Sequence, residues 1–466
     1  MTTVTDLDAE STGSAGPPPP RRAHWAVLRP LLLRLHFYAG ILIAPFLLVA
    51  ASTGTLYAAS FQIEKAVYRH EVTTVAGAAR LPVSQQVAAA RAARPEGSVY
   101  AVRTGDLPEQ TTQVLLDVPG MPESTRLAVF VDPYTAQVRG ALPSYGSSGA
   151  LPVRAWISDL HRRLHLGEPG RLYSELAASW LWVVALGGPA LWLTRRRRRG
   201  SRARGLLMPE RGARGLRRTL SWHGSAGLWL ALGLLFLSAT GLTWSKYAGE
   251  NVTELRAALD WSTPSLSTTA GEHAQHTTTG AHAHLDTASD VGVDRVIQAA
   301  GQQGLSGALE VGWPAELGAA YVVKEIDTQW PQRLDQVAVA PATGQVTDVL
   351  RFEDYHLAAK LARWGIDAHM GVLFGLANQV VLAVVGLGLV FLVVYGYRMW
   401  WQRRPGRGFA APYPRGGWRR VHRAVLVALI GCAVGVGVFL PLFGISLAAF
   451  LVLDVILGLR ARTAVR

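Results

Sequence analysis

The feature that most constrains this chain is a series of apolar runs, each about as long as a membrane span and bordered on one side by arginines. Crossing a hydrocarbon core of ~30 Å takes about 20 predominantly apolar residues. Runs of that kind lie near residues 35–59, 176–193, 228–244 and 370–397. A fifth, 424–459, is too long for one crossing, and Pro441 with Gly444 breaks it into two helices joined by a tight turn. Charged residues make up only 17% of the chain, below the roughly one quarter of soluble domains. The expected fold class is a polytopic α-helical membrane protein with about six transmembrane helices.

The arginines give the direction. Arg21, Arg22, Arg29 and Arg34 precede the first run, Arg195 to Arg199 follow the second, and Arg398, Arg403, Arg404, Arg407, Arg415, Arg419, Arg420 and Arg423 fall between the fourth and fifth. Short basic segments stay in the cytoplasm. Both termini are then cytoplasmic in the inner membrane, and the long loops at about 61–160 and 247–365 lie outside. The net charge of +14 is therefore a topology signal beside membrane lipid, and no nucleic-acid partner is expected. The start of the chain is polar and Pro-rich and so reads as a disordered tail; it does not read as a signal peptide, because the first apolar run begins too late and runs too long. Cys432 is the single cysteine, so neither a disulfide framework nor a thiolate metal site is available.

The chain is also duplicated. Shifted by 187, His36 falls on His223, Gly40 on Gly227, and Thr53-Gly54 on Thr240-Gly241. Shifted by 208, Pro133, Thr135 and Gln137 fall on Pro341, Thr343 and Gln345, Trp156 on Trp364, His161 on His369, and Gly188 on Gly396. The 21-residue difference marks an insertion in the second loop, and a Thr/Ser/His-rich stretch over 261–290 supplies it. Parallel repeats of this kind are related by an axis along the membrane normal, so residues near it face their counterparts.

The expected division follows: tail 1–30; first span 31–60; external domain 61–155; outer histidine segment and second span 156–194; basic loop 195–219; third span 220–246; second external domain with its insert 247–355; outer histidine segment and fourth span 356–400; basic loop 401–423; hairpin 424–459; tail 460–466. Each external domain reads as small and α+β. Amphipathic helices are expected at 82–93 and 292–300, and strand, Pro-containing turn, strand at 129–138 and 337–346.

Four histidines occupy matched places: His36 and His223 at the cytoplasmic starts of spans one and three, His161 and His369 at the outer starts of spans two and four. Ionisable groups at membrane depth are costly and point to function. A lone interfacial histidine also snorkels or caps a helix, but two symmetry-matched pairs suit the axial ligation of haem iron in an apolar slot. Gly40, Gly227, Gly167 and Gly375 would admit a flat macrocycle, or simply close helix packing. From His36 to Gly54 is 18 residues, or roughly 27 Å of helix, so the pairs belong near opposite membrane faces. His165 competes with His161 as outer ligand, although Leu373 stands at its counterpart. His356 and His422 lack matched partners and read as surface groups. His273, His276, His282 and His284 of the insert could gather Cu, Zn or Ni, or be solvated. Asp454 is an unpaired acid within the last run, open to a bond with a neighbouring helix or the cytoplasmic edge, with no assigned role. No phosphate loop, nucleophile elbow or HExxH motif is present.

Four segments carry a resemblance: Leu35-His36 leading to Ser52-Thr53-Gly54; Leu160-His161-Arg162-Arg163-Leu164-His165 with Gly167 and Glu175; Trp222-His223-Gly224; and His369-Met370-Gly371 with Asn378-Gln379. In order and spacing, from about 30 to 400, the chain resembles the PepSY-associated transmembrane family, which includes iron-regulated membrane proteins and ferric-siderophore reductases. The resemblance implies two external PepSY domains. It also implies two haem b groups held by His36, His223, His161 and His369. The chain departs from the family pattern at Ala136, where the turn usually has Gly, as Gly344 does, and in the His-rich insert. The expected function is a di-haem electron-transfer protein that reduces a ferric siderophore or other ferric chelate outside, fed by a cytoplasmic donor or a quinol. The alternatives are a non-redox PepSY module binding peptide or peptidase, and a metal-handling or transport protein using the His-rich loop.

Overall fold

The computed structural model describes residues 24–197, 203–268, 290–316, 318–404 and 421–463. The four insert histidines, the start of the N-terminal tail and most of the second basic loop lie outside these.

The first copy begins with α1 (His24–Leu42) and α2 (Ala44–Val67), stacked end to end through Ile43. The break has a local cause. Pro45 has no N–H for the carbonyl of Ile41, and the Tyr397 hydroxyl donates to that oxygen instead, at 2.9 Å. α2 continues beyond the expected limit at 60, to Val67. A one-turn α3 (Arg69–Val72) and α4 (Val83–Ala93) follow, then strands β1 (Ser98–Thr104), β2 (Thr112–Asp117), β3 (Thr125–Val131) and β4 (Val138–Tyr145). α5 (Pro152–Arg163) leads into α6 (Glu168–Arg197). After the short α7 (Ala203–Leu207), the second copy repeats the plan with α8 (Gly215–Leu242), α9 (Tyr247–Ala258) and α10 (Val293–Gln302). Strands β5 (Leu309–Gly312), β6 (Tyr321–Glu325), β7 (Gln336–Val339) and β8 (Val346–Leu350) come next, then α11 (Leu357–Met370) and α12 (Gly375–Arg403).

Among the described residues four helices, α2, α6, α8 and α12, are long and apolar enough to cross a membrane. The last apolar run forms two helices, α13 (Arg423–Phe439) and α14 (Pro441–Thr463), parted at Leu440 where the sequence placed the break. The two copies interleave: α6 packs on α8, and α2 on α12. α14 lies against α6, with the Trp180 ring on Phe443 and Phe450 and its Nε1 donating to Ser446 at 2.8 Å. Asp454, an acid within an apolar run, bonds a neighbouring helix through an ion pair with Arg34 of α1.

Outside the bundle the two expected α+β units are fused. Their strands form one eight-stranded sheet in the order β4-β3-β2-β1-β5-β6-β7-β8. The seam is the antiparallel pair β1–β5, with Ala101 opposite Gly312, Arg103 opposite Glu310 and Thr104 opposite Leu309. Exchanging the copies maps Ala101 to Leu309 and Gly312 to Thr104, so the seam maps onto itself.

Strand alternation gives the sheet two unlike faces. Val102, Val114, Val129, Val311, Val323 and Val337 form a single core with α4 and α10. The other face carries a row of paired polar residues across four strands, Arg103, Glu310, Lys324 and Gln336, turned toward the bundle.

Candidate functional site

Two residues in the left-handed conformation, Leu164 at φ 53° and His165 at φ 54°, turn the chain from α5 into α6. This leaves His161 in the last turn of α5, packed on α2. Its Nδ1 lies 3.0 Å from Thr53 Oγ1. Gly54 makes room for the ring, since a β-carbon there would stand 3.0 Å from His161 Cε1. The second copy repeats the arrangement. α11 ends at a left-handed Gly371, His369 Nδ1 lies 2.6 Å from Thr240 Oγ1, and Gly241 sits beside the ring. Aromatic neighbours at matched positions differ. Tyr57 stacks on His161 at 6.4 Å, whereas Trp244 meets His369 edge-on at 5.4 Å.

Burial, and secondarily the nearby Arg162, holds the His161 imidazole down to about 4. Burial, and secondarily His161 itself, holds His369 down to about 3. Both rings are therefore neutral at ordinary pH, the form that offers a nitrogen lone pair to a metal.

The inner pair lies toward the other end of the bundle. His36 of α1 packs against Gly187 and Gly188 of α6, where a β-carbon on Gly188 would stand 3.3 Å from His36 Cε1. His223 of α8 packs likewise near Gly396 of α12. The two rings face each other with centroids 6.4 Å apart and planes at 75°. His223 Nδ1 donates to the Leu392 carbonyl at 3.1 Å. His36 Nδ1 is buried with no hydrogen-bond partner among the described residues. His36, His161, His223 and His369 are each half-buried.

His161 and His369 line one cavity of about 1220 Å³. Its floor is apolar, formed by Leu47, Ala51, Leu234 and Leu389 of the bundle, and its roof is the polar row of the sheet. It thus joins membrane depth to the external domain. His165 is not among its lining residues. Its Nδ1 pairs with Asp159 at 2.9 Å and its ring lies on Trp156. His356 and His422 cap the N-termini of α11 and α13, each accepting a backbone N–H.

Among the described residues no group of three or more His, Cys, Asp or Glu side chains gathers as a protein-only metal site would require. Each histidine pair therefore offers two ligands, which suits a group that supplies the remaining ligands itself. The glycines beside the four rings let the imidazoles pack closely on the neighbouring helices, and His36 Nδ1 is the one buried ring nitrogen of the four without a hydrogen-bond partner among the described residues.

Sequence reasoning missed the contacts of Thr53 and Thr240, although the repeated Thr-Gly pair marked the positions. It also missed the work of Glu175. That buried carboxylate accepts the backbone N–H groups of Lys246, Tyr247 and Ala248 at 2.8–3.0 Å and pins the start of α9 just after Trp244. Ala383 stands at the matched place, so the duplication gave no signal.

A family model described as the PepSY-associated TM region matches residues 33–403, most of the chain. The chain belongs to the PepSY-associated transmembrane family. Both histidine pairs and both Thr-Gly pairs of this PepSY-associated protein fall inside the matched region, while the α13–α14 hairpin lies beyond it. No curated protein matches the chain.

Proposed function

We propose that this PepSY-associated membrane protein is a di-haem electron carrier that passes electrons outward to a ferric chelate. The observation that carries the reading is the matched pairing of enclosed imidazoles. His36 faces His223 toward one end of the bundle, and His161 and His369 share a cavity at the other. His36 and His223 would hold one haem b and His161 and His369 a second, each with glycine beside the rings. Bound haem would supply one-electron chemistry at each place.

The chain's own contributions are ligation, exclusion of water by the apolar floor, and a route of access. The cavity opens the outer pair toward the external sheet, where a ferric chelate would meet it. The basic segments suit an acidic cytoplasmic donor, and a quinol in the bilayer is the other source of electrons. In this reading α13 and α14 complete six crossings of the inner membrane, with both termini cytoplasmic, as the arginines require.

The test is optical. The detergent-purified protein should show a Soret band and a six-coordinate b-type spectrum with two haems per chain. His36→Ala and His369→Ala should each remove one. Colourless protein, or both haems retained in both variants, would refute the assignment and favour a non-redox module.

A further inference from the structure

The repeated Thr-Gly pair does more than make space. We propose that Thr53 and Thr240 are positioning residues that fix the tautomer of the outer histidines, so that each ring presents a bare Nε2. The inference rests on the reading of these histidines as iron ligands and names how they are prepared for it.

The argument follows the hydroxyl protons. Thr53 Oγ1 lies 2.8 Å from the carbonyl of Val49 and 3.2 Å from that of Ala50. Thr240 Oγ1 lies 2.7 Å from the carbonyl of Phe236 and 3.5 Å from that of Leu237. A carbonyl only accepts, and a hydroxyl has one proton to give. In both copies that proton goes back to the preceding turn of the helix. The threonine oxygen is then left as an acceptor for Nδ1, at 3.0 Å for His161 and 2.6 Å for His369. Each imidazole must donate from Nδ1, and in the neutral ring Nε2 consequently carries no proton.

The same solution stands in both copies although the aromatic neighbour differs, Tyr57 in one and Trp244 in the other. On the inner side His223 uses the backbone carbonyl of Leu392 for the same purpose. A hydrogen bond to the distal nitrogen orients a ligating imidazole and raises its basicity, and it is one of the levers that set a haem potential.

The test compares Thr53→Val and Thr240→Val, which keep the β-branch but lose the acceptor, with Thr53→Ser and Thr240→Ser, which restore it. In the full-length protein the valine variants should weaken outer haem binding about 10- to 100-fold. They should also favour the reduced outer haem by about tenfold, a rise of about 59 mV for a one-electron couple. The inner haem should be unchanged, and serine should restore both values. Nitrogen-15 histidine spectra of haem-free protein should show Nδ1–H at His161 and His369, lost in the matching valine variant. Valine variants with unshifted potential and unchanged Nδ1–H signals would overturn the inference. If the wild-type protein takes up no haem, the ligand reading falls by itself, and the tautomer spectra still decide the role of the threonines.

Discussion

A β-carbon on Gly54 would stand 3.0 Å from Cε1 of His161, whereas one on Gly241 would clear Cε1 of His369 at 3.7 Å. The copies are thus unequally tight at the same motif. Gly54→Ala forces the imidazole to shift by tenths of an ångström, and overpacking of that kind costs about 1–3 kcal/mol. Gly241→Ala meets ordinary van der Waals distance. We expect the first change to lower the thermal midpoint and, if the outer pair holds haem as proposed, to perturb its spectrum, and the second to leave both near wild type. Equal effects would argue against this packing.

The outer end of α2 is tied to the start of α5 by Glu64 and Arg154. The guanidinium Nε lies 3.0 Å from both carboxylate oxygens, and Nη2 donates to the carbonyl of Gly149 at 2.9 Å. Both side chains are largely buried. Removing one partner of such a pair strands a charge and costs about 3–5 kcal/mol. Glu64→Ala should therefore destabilise the protein by more than the double change Glu64→Ala with Arg154→Met. Denaturation of all three proteins measures the difference.

Ala136 adopts φ 58° in the turn between β3 and β4, and Gly344 adopts φ 70° at the matched turn between β7 and β8. A left-handed backbone costs a residue with a β-carbon roughly 1–2 kcal/mol, partly offset by the greater freedom of glycine in the unfolded chain. Ala136→Gly is expected to stabilise the external domain by up to about 1 kcal/mol, read as a rise in its melting midpoint. A fall would show that the alanine side chain earns its place by packing.

Acid should loosen the outer site. The unfolded chain takes up protons on His161 and His369 near 6.5, while burial in the folded protein delays this to about 4 and about 3. Stability is then full above pH 6.5 and is lost as the pH falls from 6.5 toward 4. The loss is at most about 1.4 kcal/mol per pH unit for each histidine. Melting midpoints of the haem-free protein between pH 7.5 and 5 should fall on the acid side, with a shallower slope for His161→Gln. A flat profile in the unaltered protein would contradict it.

Much of this was legible in the sequence for simple reasons. Membrane spans announce themselves by length and apolarity, and the histidine pairs by two fixed offsets. The hidden parts depend on contacts between distant segments. Arg34 and Asp454 are 420 residues apart, and no local pattern joins them. Only the folded geometry shows that Thr53 Oγ1 meets His161 Nδ1, and that His165 turns instead to Asp159. The fused sheet was invisible because the pairing of β1 with β5 leaves no mark in either strand. α13, with 17 residues, is shorter than the four long apolar helices, because the break at Leu440 and Pro441 ends it midway through the last apolar run.

The seam between β1 and β5 has a consequence for how such a molecule could arise. A strand pair that is its own partner under exchange can be made by two identical chains, so a half-length forebear could have assembled this platform as a symmetric dimer. Joining the halves in one polypeptide frees each to specialise. Tyr57 can differ from Trp244, Asp132 from Ala340, and an insertion can enter the sequence of one copy alone, so the two halves no longer need to be alike.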